Sequence, residues 1–348
     1  MSSTDTALLR ETVTAVLADA CTGEVVRAAE RGVWPARLWT TFAETGLTLG
    51  GISEAAGGSG GSVADLAVVL RAAGKAAAPL PLAETWLAAW LRAAVSLPLP
   101  EGPATATWGT AVGRARLDGT RVVSWLPSTG ELTVLGVCDG SETCVASGSV
   151  AAEAVSRSRN LAGEPRDTAD LAAVAVAQCV PAPAGLDVMT LRLLGAYTRA
   201  ALIVGALDGA LELTLRYAEE RVQFGRPIGR FQAVAQQTAV LTAEVEAAGG
   251  AVALATDALA SAPDIQAAGV AIAVAKARVS RAVRAAVAIA HQVHGAIGWT
   301  EEHPLQLVTR RALAWRDEWG TERDWATFVG GAAATSAAPS LWEWLVPG

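Results

Sequence analysis

Apolar positions along this chain change their period twice, dividing it into helical, extended and helical stretches. Over residues 6–31 apolar side chains recur at helical spacing, and Gly32 with Pro35 stops the run. A second helix is expected over 36–45, ending at Gly46. Ser62-Val-Ala-Asp65 reads as a capping box, with Asp in place of Glu, opening a helix that runs to Gly74. A further helix over 81–94 closes an N-terminal helical domain, assigned to residues 1–98. Residues 99–184 read as a small β domain. Thr-, Val- and Gly-rich runs at 104–110, 121–125 and 132–137 alternate there with turn signals at Asp118-Gly119 and Asp139-Gly140. Helical spacing then returns. Met189, Leu193, Ala196, Ala200, Val204, Leu207, Leu211 and Leu215 step by four and three along one face of a long helix, which Gly225 and Pro227 end. Helices over 231–259, 265–294 and 304–315 complete a four-helix bundle, residues 185–330. The remainder, 331–348, is Gly/Ala/Ser-rich and finishes in Leu341-Trp342-Glu343-Trp344-Leu345, a flexible arm with a docking tip. The expected class is α+β, mainly α.

Composition narrows the partners. With 348 residues the chain is long enough for two or three domains, and 52% of it is apolar against 18% charged. A net charge of −7 argues against nucleic acid, whose phosphates need a concentrated basic surface. The N-terminus has no apolar core of signal-peptide length and charges interrupt the long apolar stretches, so no membrane span and a cytoplasmic location are expected. Cys21, Cys138, Cys144 and Cys179 are scattered and read as reduced thiols.

Candidate chemistry is concentrated near the C-terminal end. The glycine-rich loop at 50–61 lacks the Lys-Ser/Thr of a phosphate-binding P-loop and no strand clearly precedes it. Residues 217–232 read YAEERVQFGRPIGRFQ. Arg221 offers a planar fork for phosphate oxygens, Phe224 a flat face for an adenine ring, and Gln223 and Gln232 flank them. With Arg226 and Arg230 they form an anion site, or else a solvated helix end paired with Glu219 and Glu220. In the second segment Gln292, Val293, His294, Gly295 and Ala296 mark a helix stopping on glycine, where backbone amides open to a ligand. His291, His294 and His303 lie here too, but their spacing has no open-site metal motif, and hydrogen bonding near a cofactor is favoured over a metal.

Together, at this separation, the two segments resemble the C-terminal helical domain of the acyl-CoA dehydrogenase family. The likeness is strong over 185–325, fair over 30–95 and poor over 100–180. It implies FAD, with Arg221, Gln223, Phe224, Gln232, Gln292, Val293, His294, Gly295, Ala296 and Thr321 at the cofactor and the ADP half bound mainly by a neighbouring subunit. The chain departs from the pattern at decisive places. The family's catalytic glutamate, within Glu-Gly-Thr, is matched by Trp319-Gly320-Thr321. Glu318 lies one residue earlier, turned by ~100° if helical; it reads as a surface carboxylate paired with Arg316 or Arg323. The alternative base position of some relatives falls near Gly195, with no carboxylate close by. The flavin-ring signature is missing from the β domain, and Trp108 and Trp125 stand in other surroundings. The resemblance therefore implies a shortened, non-catalytic subunit of a heteromeric, actinobacterial-type acyl-CoA dehydrogenase. Such a chain completes the FAD site of a homologous catalytic partner, most simply as an α2β2 tetramer. The partner binds the acyl-CoA, a bulky steroid-like thioester by analogy, and an electron-transfer acceptor takes the electrons. The alternatives are a self-sufficient homo-oligomer with Glu318 as base, or a flavin-free interaction protein.

Overall fold

The computed structural model describes residues 3–113, 116–126, 130–138, 142–336 and 340; the turn expected at Asp139-Gly140 and the Trp-containing tip of the tail lie outside them. The N-terminal stretch is two helices rather than the single run expected over 6–31. α1 (Ser3–Ala20) stops, and Thr22 caps α2 (Gly23–Glu30) by accepting a hydrogen bond from the Val25 amide. α3 (Ala36–Glu44) follows. α4 (Val63–Lys75) opens on the Ser62/Asp65 capping box, with both reciprocal bonds present. α5 (Leu82–Ala94) is buried almost along its whole length.

The β domain splits into two sheets. β1 (Thr105–Val112), β2 (Arg116–Asp118), β4 (Leu132–Val137), β5 (Thr143–Val150) and β8 (Val174–Pro181) form one, in the order β2-β1-β4-β5-β8. β1 and β4 run parallel and the other pairs antiparallel. β3 (Thr120–Ser124), β6 (Val155–Ser156) and β7 (Arg166–Asp170) form the other, in the order β3-β7-β6. The domain has a small core of its own around Val123, Leu132, Val134 and Leu171.

α6 (Val188–Glu220) ends four residues short of Gly225 because Arg221 turns extended and begins a small hairpin, β9 (Val222–Gln223) with β10 (Arg226–Pro227). α7 (Gln232–Ser261), α8 (Gly269–His294), α9 (Leu305–Arg316) and α10 (Glu322–Thr335) complete the bundle, and α10 continues through Gly331 into the stretch expected as tail. α4 crosses α6 at backbone contact. A Cβ on Gly74 would lie 2.0 Å from the Leu202 carbonyl oxygen, and one on Gly205 would lie 1.9 Å from that of Arg71. The N-terminal helices and the bundle consequently share one continuous core, to which Leu70, Leu87, Tyr197, Ile203 and Val283 all belong.

α6 and α7 are each long and apolar enough to cross a membrane, against the expectation that charge breaks every long apolar stretch. The apolar window of α6 is 83% buried within the chain, as a core helix should be, whereas that of α7 is only 28% buried.

Candidate functional site

Both positions considered for a catalytic base meet in space. The link between α9 and α10 carries Trp319 in the left-handed region (φ 58°) and Gly320 at φ 107°. The Trp319 indole lies directly on the backbone of Gly195: a Cβ there would come within 2.1 Å of Trp319 Cδ2. Trp108, on β1, packs on it at 5.7 Å between ring centroids. α6 and β1 therefore close around the indole, and neither residue 319 nor residue 195 is a carboxylate.

Two anchors hold the link. From one side, buried Lys276 donates from Nζ to the carbonyls of Arg316 (2.5 Å) and Gly320 (2.9 Å) and to Ser280 Oγ (3.2 Å). Burial pushes this amine down to about 7. From the other side Glu318 is clamped. It accepts from Arg166 Nε (2.7 Å) and Nη2 (3.0 Å), from Arg199 Nε (2.7 Å), and from Asn160 Nδ2 (3.3 Å). This corrects the expected pairing with Arg316 or Arg323; Arg316 is paired with Asp317 instead. Burial alone would raise the Glu318 carboxyl, but the two guanidiniums outweigh it and bring it down to about 2.

The clamp belongs to a longer chain of charges. Arg199 also pairs with buried Glu84 of α5, and Arg166 with Glu164. Glu164 accepts from Trp315 Nε1 (2.8 Å) and faces Arg311 of α9, which reaches Glu30 of α2 together with Arg310. Four carboxylates thus meet four guanidiniums across all three parts of the fold. Sequence reasoning missed Arg166, Arg199, Glu84 and Lys276. For Glu84, Arg199 and Lys276 the available signal was a charge placed on the buried face of a helix otherwise lined with apolar residues, whereas Arg166 opens the strand β7.

The two motif segments converge at the other end of the bundle. Tyr217, near the end of α6, stacks on His294 at the end of α8 with centroids 4.6 Å apart. Arg221, Gln223, Gln232, Gln292, Gly295 and Ala296 are exposed around this junction. Phe224 is 92% exposed, at φ 50°. Among the described residues the side chains of Arg221, Gln232 and Gln292 have no hydrogen-bond or ion-pair partner, so the alternative pairing of Arg221 with Glu219 or Glu220 is not formed. Gln223 bonds only its neighbouring backbone, and Arg226 stacks over Phe231 at 4.3 Å. Val293 and His294 are buried, and His294 Nδ1 donates to the Ala290 carbonyl of its own helix (2.7 Å). Thr321 is occupied as the N-cap of α10, in a capping box with Asp324. His291 stacks on Trp299 and bonds Thr309 Oγ1, and His303 lies edge-on to His294. The four cysteines are free thiols.

Comparison with known proteins follows the same division. The family model described as "Acyl-CoA dehydrogenase, C-terminal domain" matches residues 184–322, and that for "Acyl-CoA dehydrogenase, N-terminal domain" matches residues 3–94. Acyl-CoA dehydrogenase IpdE2 of Mycolicibacterium smegmatis is 34% identical over 318 residues, covering 88% of this chain and 91% of the relative. IpdE2 of Mycobacterium tuberculosis is 33% identical, covering 88% and 90%. Among solved structures, the ChsE4-ChsE5 complex from Mycobacterium tuberculosis has the same fold, with a TM-score of 0.85 at 24% identity over 97% of this chain and 99% of that one. A variant of the Tcur3481-Tcur3483 steroid acyl-CoA dehydrogenase matches with a TM-score of 0.84 at 25% identity over 95% and 98%. This chain belongs to the acyl-CoA dehydrogenase family, whose members are FAD-binding flavoproteins.

Proposed function

We propose that this chain is the companion subunit of a heteromeric acyl-CoA dehydrogenase, completing the FAD site of a homologous catalytic partner. The observation that carries this is Trp319 seated on Gly195. Desaturation beside a thioester needs a base for the α-proton, while bound FAD accepts the hydride from the β-carbon. An indole cannot take that proton, and it fills the space where the base would work. Glu318 is no substitute. A carboxylate held at about 2 by two guanidiniums is ionised at neutral pH, but its oxygens are already spent on four donors.

The other end of the bundle supports a retained cofactor role. Arg221 and Gln292 present unpartnered donors, Phe224 a bare aromatic face, and a Cβ on Gly225 or Gly295 would meet nothing. These groups fit the ADP half of FAD: Arg221 for the pyrophosphate, Phe224 for the adenine. The weakly covered face of α7 supports a partner chain, and the heteromeric steroid enzyme among the structural matches supports α2β2 assembly and a bulky, polycyclic acyl-CoA.

The test is co-expression with a longer acyl-CoA dehydrogenase chain that carries its own glutamate base. The complex should be yellow and active, and the isolated chain colourless and inactive. Turnover by the isolated chain with bound FAD would overturn the assignment. So would a large kcat loss in the assembled complex on Glu318→Gln, on the order of the 10²–10⁴-fold expected for loss of a general base.

A further inference from the structure

A cleft of about 320 Å³ opens on the far side of β7 from Glu318, between the α2–α3 connection and the β domain. Its volume falls at the lower end of the ~300–1,000 Å³ usual for small-molecule sites. The chemistry of its lining is distinctive. Trp34 comes from the α2–α3 connection and Trp125 from the end of β3, with Pro165 beside them; Arg157, Arg159 and Asp167 supply charge.

Three features mark it as a site and not a packing fault. Trp125 is buried, yet it holds φ 61° in the left-handed region that a bulky residue rarely adopts, the kind of strain concentrated at ligand sites. Asp167 is 1% exposed. Its Oδ1 accepts from the Ser158 amide (2.9 Å), while Oδ2 is buried with no hydrogen-bond partner. A buried carboxylate oxygen without a donor is costly and calls for one. Arg157 is exposed with no side-chain partner among the described residues. Arg159 spends Nη1 on the Glu30 and Gly163 carbonyls and leaves Nη2 unbonded.

Two indoles in the lining, one buried acceptor and two guanidiniums select a flat heterocycle that carries an exocyclic amine and an anionic group. We infer that this cleft binds an adenylate group: the purine against Trp34 and Trp125, its amine donating to Asp167 Oδ2, its phosphate on Arg157 and Arg159. The base is read by stacking and one hydrogen bond, and the phosphate by charge-assisted bonds. The site lies apart from the Arg221–Gln292 junction and does not depend on the subunit assignment.

Calorimetric titration of the full chain with AMP tests this. Saturable one-to-one binding is expected. It should weaken about tenfold or more for purine riboside 5′-monophosphate, which lacks the amine, and for adenosine, which lacks the phosphate. Arg157→Gln, an exposed change that leaves the fold intact, should weaken AMP by a similar factor and leave adenosine unaffected. Asp167→Asn should abolish the preference for the amine. Coenzyme A titrated in parallel identifies the source: tighter binding than AMP points to the tail of a thioester, and weaker binding to a free nucleotide. Absence of saturable heat with AMP and coenzyme A, or binding indifferent to both the amine and Arg157, would overturn the proposal.

Discussion

Trp319 and Gly195 form a pair in which each explains the other. The indole fits only because position 195 carries no side chain, so Gly195→Ala should destabilise the chain by about 1–3 kcal/mol, the usual cost of overpacking. Trp319→Ala in the same background should relieve most of that loss. Urea denaturation of the two single variants and the double variant measures the coupling, and strictly additive losses would refute the contact. The titrating residues behind the link give opposite pH signatures. Glu318 has its folded value lowered from 4.5 to about 2, so its stabilisation is complete above the unfolded value. As the pH falls from there toward 2 it is lost, up to about 3 kcal/mol, and Glu318→Gln should flatten that acid limb. Lys276 is lowered from 10.5 to about 7, so the unfolded chain binds the extra proton between those values and stability should rise with pH across that window. Lys276→Met should remove the rise, as thermal unfolding at stepped pH will show. At the opposite junction, Arg221→Ala should weaken FAD retention in the complex about tenfold or more, read from flavin absorbance after gel filtration.

Among the elements, α7 is the one whose surface remains unfinished. Its exposed positions Val240, Ala243, Ala247, Gly250 and Leu254 alternate by three and four, the seam of a helix that packs on another helix. Leu254→Glu should therefore shift the assembled protein toward smaller species in light scattering, with the fold of the isolated chain unchanged. How legible the elements were depended on where their determinants lie. Helix ends punctuated by Gly, Pro or a cap were readable: Ser62 with Asp65, Gly46 and Gly295 all mark real boundaries. The break between α1 and α2 was not, because residues 20–22 keep the helical pattern and only the Thr22 cap divides them. The two motif segments and the Trp319-Gly320-Thr321 triplet could be located in the sequence because spacing along the chain sets them. The clamp on Glu318 could not: Arg166 and Arg199 lie 152 and 119 residues away, and nothing local pairs them.

At the scale of the whole molecule, the charge network from Glu84 through Arg199, Glu318, Arg166, Glu164 and Arg311 to Glu30 fastens the N-terminal helices, the β domain and the bundle to one another. Breaking a buried pair by removing one partner costs about 3–5 kcal/mol. Arg199→Met strips the partner from Glu84 and takes one of the two guanidiniums from Glu318, and should lower the denaturation midpoint accordingly. In the unmodified chain, tryptophan fluorescence and far-UV circular dichroism should report a single transition. After the substitution the β domain, with its separate core, should melt apart from the helices, and coincident curves would show that the network does not fasten the parts.

The core shared by α4 and α6 also sets an order of events during synthesis. α4, whose Leu66, Val69, Leu70 and Ala73 belong to the shared core, packs most extensively on α6, a helix that begins at Val188, after the whole β domain has been made. At ~5–20 residues per second, the first helices leave the ribosome on the order of ten seconds before their packing surface exists. The β domain can close its small core in that interval, so the middle of this chain is made to fold before its beginning, and the early helices must be shielded by a chaperone or a transient collapse until α6 arrives.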